Sequence, residues 1–198
     1  MRHIQPEMFN LILKKLEHNG EAQENMRLKK DPRRLLVIAA PLFVGVREKT
    51  GHNDGPIIEL IQKTIGGAYR EPYCLAFAQT LIAFVEKVYG IESPIHPTEH
   101  CMTCWRNSPK HSRVLFSPDP GAITIYNHQG TDSGHAAIFI ESITERKEKF
   151  AHNVEANTTG GVDPYGAIVR EGGGIYWTKR PWQRNVGGML FVGHLKPF

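Results

Sequence analysis

The chain has 198 residues, 40% apolar and 22% charged, with a net charge of +4 and a sequence pI near 9.0. That is the composition of one globular domain with an extension, long enough to bury a core. No stretch approaches the roughly 20 apolar residues of a membrane span, and three cysteines are too few, and odd in number, for a disulfide framework.

The start, Met-Arg-His-Ile-Gln-Pro-Glu, lacks the basic-then-apolar layout of a secretory leader. The expectation is a protein made in the cytoplasm that reaches any outside target by another route. Residues 6–17 carry Met8, Phe9, Leu11, Ile12, Leu13 and Leu16 at helical spacing, and Asn19-Gly20 ends that helix. Residues 20–34 are polar and read as a linker or loop. Residues 1–34 hold eight Lys/Arg against five Asp/Glu, a basic arm suited to an anionic surface or, more blandly, a solvated helix and linker. Asp31-Pro32 is a helix start. Leu35 to Val46 reads as helix or strand, interrupted by Pro41. Lys49 to Gly55 is a turn-rich loop, and Pro56 to Ile65 a helix stopped by Gly66-Gly67. A further helix runs from Cys74 to Gly90, with Leu75, Ala78, Leu81, Ile82, Phe84, Val85 and Val88 on its apolar positions. Beyond residue 110 the texture changes to short β-type runs: 122–126, 135–140, 150–156, 168–169, 175–177 and 189–192. Helices followed by an antiparallel meander give an α+β domain, residues 35–198, preceded by the basic helix and linker of residues 1–34.

The most informative run is AYREPYCLAFAQTL, residues 68–81, which places Cys74 on the first turn of a helix. Unpaired N–H groups and the helix dipole there favour a thiolate and can later hold an oxyanion. A cysteine nucleophile needs a base, and the base an orienter. SGHAAIFI puts His135 at the mouth of a strand, and NVEANT puts Glu155 and Asn157 two apart on an extended segment, either able to accept the imidazole N–H. The order Cys74, His135, then Glu155 or Asn157, with the nucleophile on a helix and the base on a sheet strand, fits a papain-type site and a papain-like cysteine hydrolase fold with N-terminal helices packed on an antiparallel sheet.

VREKTGHNDGP (46–56), AYREPYCLAF, SGHAAIFIE and VEANTTGG together resemble the CHAP group of cysteine peptidoglycan amidases and endopeptidases, whose layout the NlpC/P60 enzymes share. The likeness spans roughly Leu35 to the C-terminus. Its most telling element is the Glu-x-Asn pair Glu155-Ala156-Asn157. Tyr73 stands where family members commonly carry tryptophan, and Ala156 where they often carry glycine. The resemblance implies that Cys74 attacks a carbonyl of the peptidoglycan stem or cross-bridge, that His135 moves the proton, and that Glu155, ranked ahead of Asn157, orients His135. It also implies a phage endolysin or an antagonism effector, with bacterial peptidoglycan as partner and release from the host cytoplasm by a holin or a secretion system; residues 1–34 lie outside the likeness, and their charge alone suggests contact with an anionic envelope. A monomer is expected.

Other constellations are weaker. His96, His100, Cys101 and Cys104, with His111 nearby, have ligand types a zinc site uses, but Pro94 and Pro97 break the helix that would align them. Glu48, Asn53 and Asp54 lie where some CHAP relatives bind calcium, but they are too few oxygens for that ion. No metal and no cofactor is therefore expected. Gly172-Gly173-Gly174 lacks the lysine of a phosphate loop and reads as a turn. Tyr176 to Arg184 reads as an amphipathic edge strand with arginines at its rim. The alternative function is a non-catalytic nucleic-acid or envelope-binding module built on the basic arm and a Cys/His zinc site.

Overall fold

Proline opens three helices of the N-terminal half, at the position where a missing N–H costs nothing. Residues 1–129, 131–158 and 173–198 are described by a computed structural model. Helix α1 (Pro6–Leu16) buries Met8, Ile12 and Leu16 along one stripe. Helix α2 (Gly20–Leu28) occupies most of the segment expected as a linker. Its Asn19 cap accepts the Ala22 N–H at 2.9 Å, and only Ala22 and Asn25 are buried, which is why its composition hides the helix. Asn25 then folds the chain back by pairing its side-chain amide with the Asp31 carbonyl and N–H, at 2.8 and 2.9 Å. Asp31 in turn caps α3 (Pro32–Ala39). At Pro41 the helix tightens into a 3₁₀ turn, Ala40–Phe43, which settles the ambiguous 35–46 run.

Helices α4 (Pro56–Lys63), α5 (Cys74–Tyr89) and α6 (Cys101–Asn107) follow. In α5 every residue except Lys87 and Val88 is buried, because the helix is wedged between α3 and α4 on one side and the sheet on the other. Gly90, with φ +69°, ends it in the left-handed conformation that glycine tolerates best.

Among the described residues six strands form the sheet, β1 (Arg113–Val114), β2 (Ile123–His128), β3 (Gly134–Glu145), β4 (Glu148–Thr158), β5 (Gly174–Pro181) and β6 (Met189–Leu195), all antiparallel, in the order β1-β6-β2-β3-β4-β5. The expected meander holds from β2 to β5. The last strand departs from it and returns beside β2. One reason is that the start of β5 already has a partner on its outer side: Gly45 N–H reaches the Ile175 carbonyl and Ile175 N–H the Val46 carbonyl, both at 2.9 Å. The expected strand at 168–169, and Gly172 of the glycine run, lie outside the described residues.

One apolar core joins Ile4, Met8, Ile12 and Leu16 of the N-terminal segment to Leu35, Phe77 and Phe84 and to Ile123, Ile138 and Val154 of the sheet. Arg2 is buried with it, its guanidinium on Glu86 at 2.5 Å and Gln79 at 2.5 Å, and also on the Ile95 carbonyl. Of the other basic residues in this arm, Lys30 pairs with Glu24, Arg34 with Glu21 and Arg33 with Asp119. No helix among the described residues is long and apolar enough to cross a membrane.

Candidate active site

Sheet register brings His135, the candidate base, to Glu155. Ala137 lies directly opposite Glu155 in the β3–β4 ladder, so His135, two residues before Ala137 on the same face, is the diagonal neighbour of Glu155. His135 Nε2 is 2.9 Å from Glu155 Oε2, with both side chains buried. That leaves the other ring nitrogen, Nδ1, for Cys74. The first residue of α5, Cys74 interacts with His135 through a hydrogen bond and through charge. Packing of α5 against β3 and β4 makes this meeting possible.

The donors around Cys74 favour the thiolate. Tyr73, the N-cap, makes no side-chain cap, and the first backbone bond of the helix runs from Phe77 N–H to the Tyr73 carbonyl. The N–H groups of Cys74, Leu75 and Ala76 therefore have no partner within the helix. The Cys101 thiol, 3.9 Å from Cys74 Sγ, and the Ala136 N–H also act on the sulfur. The hydrogen bond from Cys101 contributes most to holding the Cys74 thiol well below its ordinary range; burial opposes it, and His135 adds to it. Burial also works against a charged His135, yet the Cys74 and Glu155 hydrogen bonds outweigh it and push the imidazole up to about 10. Both shifts favour a thiolate–imidazolium pair.

Glu155 is fully buried and its carboxylate is saturated. It accepts from His135, from Arg180 Nε at 2.9 Å and Nη2 at 2.5 Å, from Thr178 Oγ1 at 2.5 Å and, more weakly, from Asn153 Nδ2 at 3.4 Å. Burial alone would raise its pKa, but Arg180 and His135 hold it far below the carboxylate range. Arg180, expected as a rim arginine, is thus a partly buried clamp on Glu155 that also lines the cavity beside Cys74. Thr178 stands opposite Asn153 and Arg180 opposite Ala151 on β5, the two alternate residues sharing the Glu155 face. The signal for them in the sequence was this i, i+2 spacing on the strand that follows.

Asn157 takes a different place. The β4–β5 ladder shifts register between Ala156 and Thr158, and Asn157 has φ +53°. Strand alternation therefore stops before it, and spacing alone no longer places its side chain relative to Glu155. Asn157 instead lines a cavity of about 390 Å³ with Cys74, His135, Arg180, His128 and Met189. A second cavity, about 290 Å³, shares Pro72, Cys74, Ser133 and Gly134 with the first and is also lined by Cys101, Glu71, Glu99, His100 and Asp132.

Glu48 is a second residue whose role the sequence did not show. Its carboxylate accepts the Tyr73 hydroxyl at 3.2 Å and the Asn53 N–H at 3.0 Å, which fixes the residue preceding the nucleophile. Asp54 accepts both the N–H and the hydroxyl of Thr50, at 2.9 and 2.7 Å. The acidic oxygens of this loop serve the loop itself.

The Cys/His cluster is dispersed. Cys101 faces Cys74, Cys104 packs against the His96 carbonyl, Gln79 and Ser108, and His100 is exposed. Burial pushes the Cys104 thiol up to about 11. Among the described residues no group of three or more His, Cys, Asp or Glu is gathered to hold a metal ion. No family model, curated protein or solved structure matches the chain.

Proposed function

We propose that this chain is a papain-like cysteine hydrolase that cleaves an amide bond of peptidoglycan. One observation carries the chemistry: Cys74 at an uncapped helix start is paired with an imidazole that a buried carboxylate holds at 2.9 Å. The CHAP-like motifs around these same residues support the substrate class, as do the two cavities that Cys74 lines.

In this reading the Cys74 thiolate attacks the scissile carbonyl. The developing oxyanion is met by the Cys74 N–H and the positive end of α5, in a largely water-excluded setting. His135 Nδ1 protonates the leaving amine, Glu155 keeping the ring in place and stabilising its charged form until then. The amine departs, leaving a thioester on Cys74. Neutral His135 then takes a proton from water, which attacks the thioester and restores the thiolate–imidazolium pair. Arg180 and Thr178 position Glu155 and do not meet the substrate carbonyl.

The protein is made in the host cytoplasm and acts on the wall after release by a holin or a secretion system, as a monomer. Anionic-envelope contact falls to the exposed Lys14, Arg27 and Lys29 of the N-terminal arm, since Arg2 is buried and Lys30, Arg33 and Arg34 are paired. Release of dye from labelled peptidoglycan tests the reading. Wild type is expected to release it, and Cys74→Ala to lose release by several orders of magnitude. Equal release by both proteins overturns the assignment of the nucleophile.

A further inference from the structure

Cys101 is separated from Cys74 by 27 residues of chain, yet its sulfur is 3.9 Å from the nucleophile. Both cysteines open helices, α5 and α6, and both line the 290 Å³ cavity. The approach is allowed by Gly134: a Cβ on it would stand 3.1 Å from Cys101 Cβ and 2.2 Å from the Tyr126 carbonyl oxygen. A side chain at 134 would displace Cys101 or break the β2–β3 ladder. The hydrolytic cycle has no step for a second thiol.

We propose that Cys74 and Cys101 form a peroxide-responsive thiol pair, in which Cys101 resolves oxidised Cys74 as a reversible disulfide that switches the site off. The oxidant is a hydroperoxide small enough for the cavity, such as hydrogen peroxide. The Cys74 thiolate attacks one peroxide oxygen; an S–O bond forms, the O–O bond breaks, and the leaving hydroxide takes the His135 proton as water. Cys74 is now a sulfenic acid, two electrons more oxidised. Cys101 sulfur attacks it, an S–S bond forms, the S–O bond breaks, and hydroxide leaves with the Cys101 proton as a second water.

The electrostatics order these two steps. The Cys101 thiol is held well above its ordinary range, foremost by its hydrogen bond to Cys74 and then by burial. It therefore stays protonated while Cys74 is anionic, and only one sulfur is reactive at rest. Conversion of Cys74 to an uncharged sulfenic acid removes that anion, the foremost of the effects that hold the Cys101 proton in place. Closing the bond requires the sulfurs to move from 3.9 Å to about 2.05 Å, a shift of side-chain torsions. A dithiol reductant entering the same cavity reverses it. Cys104, one turn further along α6, packs instead against Gln79 and the His96 carbonyl and lines neither cavity.

The experiment is titration of the full chain with hydrogen peroxide, followed by intact mass, thiol counting after denaturation and peptide mapping. Wild type is expected to lose two of its three thiols and two hydrogen atoms of mass, to yield a cross-linked Cys74–Cys101 peptide, and to recover fully with dithiothreitol. Cys101→Ser, and Cys101→Ala as a second variant, are expected to gain two oxygens on Cys74 and not to recover; Cys104→Ser should behave as wild type. Overoxidation of wild-type Cys74 without a cross-link, a cross-link to Cys104, or reversible protection that survives Cys101→Ser each overturns the proposal. These readouts use no wall substrate, so failure of the hydrolase reading would leave their outcome intact.

Discussion

Arg180 clamps Glu155 through two parallel hydrogen bonds, Nε to Oε1 at 2.9 Å and Nη2 to Oε2 at 2.5 Å, while the same Oε2 accepts from His135. The carboxylate that orients the base is thus itself held by a fork whose planar geometry leaves it little freedom. Position and charge are secured together: Glu155 stays ionised in a buried setting only because two cationic groups face it.

Removing that charge should therefore damage both stability and activity. Glu155→Gln is expected to cost about 3–5 kcal/mol, since it leaves the Arg180 cation partly buried without a counter-ion. It should also lower turnover by roughly 10²- to 10⁴-fold through loss of imidazolium support. Arg180→Lys keeps the charge but loses the fork. Its expected loss is smaller, about 1–2 kcal/mol, from the hydrogen bonds it drops. Urea unfolding, with alkylation rates taken on the folded fraction, separates the two effects.

The thiolate–imidazolium pair predicts an unusual pH profile for alkylation of Cys74. A free cysteine ionises near 8.5 and is almost wholly protonated at pH 6. Cys74 is held well below that range, so its reaction with iodoacetamide at pH 6 should exceed that of a model thiol by at least about tenfold, even after allowing for the lower nucleophilicity of an acidic thiolate. His135 loses its proton only near 10, so hydrolysis that needs the imidazolium as acid should fall off on approach to that pH. A Cys74 profile rising as a single step near 8.5 would show that no such pair exists.

Away from the site, His194 should make the fold sensitive to acid. It is buried, its Nδ1 pairs with the Thr124 hydroxyl at 3.0 Å, its Nε2 has no hydrogen-bond partner among the described residues, and burial lowers its pKa to about 4. The unfolded chain, with an ordinary value near 6.5, binds this proton first. Stability from this residue is present above pH 6.5 and is lost as pH falls towards 4, by up to about 3 kcal/mol. The drop in urea midpoint between pH 7 and pH 4.5 should be smaller in His194→Gln than in wild type.

Arg2 anchors the N-terminal segment. Its guanidinium and the carboxylate of its partner Glu86 are almost wholly buried, and Glu86 also accepts the Arg2 and Ser93 N–H groups at 2.6 and 2.8 Å. Arg2→Ala leaves Glu86 uncompensated and should destabilise the whole domain by about 3–5 kcal/mol. A single cooperative unfolding transition at lower urea would show that residues 1–34 fold with the rest. An unchanged midpoint would show that they do not.

What the sequence revealed and what it hid follow from the range of the interactions involved. Helix limits set by local chemistry were legible: Pro6, Asp31-Pro32, Pro56 and Gly90 act within a turn of the backbone. So were Cys74 and His135, each marked by its place at the mouth of an element. Helix α2 was hidden because a helix that buries only Ala22 and Asn25 shows almost no apolar stripe. The choice between Glu155 and Asn157 turned on a bulge at Ala156–Thr158 that strand alternation cannot foresee. Arg180, Glu48 and Cys101 reach the site from 25, 25 and 27 residues away from the groups they touch. Their roles depend on register and on helix packing, and no local spacing reports those.

The central claim is that Cys74 cleaves peptidoglycan through a thioester, with His135 and Glu155 behind it. Mass spectrometry of the products from purified peptidoglycan, incubated with wild type and with Cys74→Ala, tests it most directly. The account predicts new stem-peptide or uncross-linked fragments with wild type alone, their masses naming the bond cut. Fragments from both proteins, or from neither across several wall types, would contradict it.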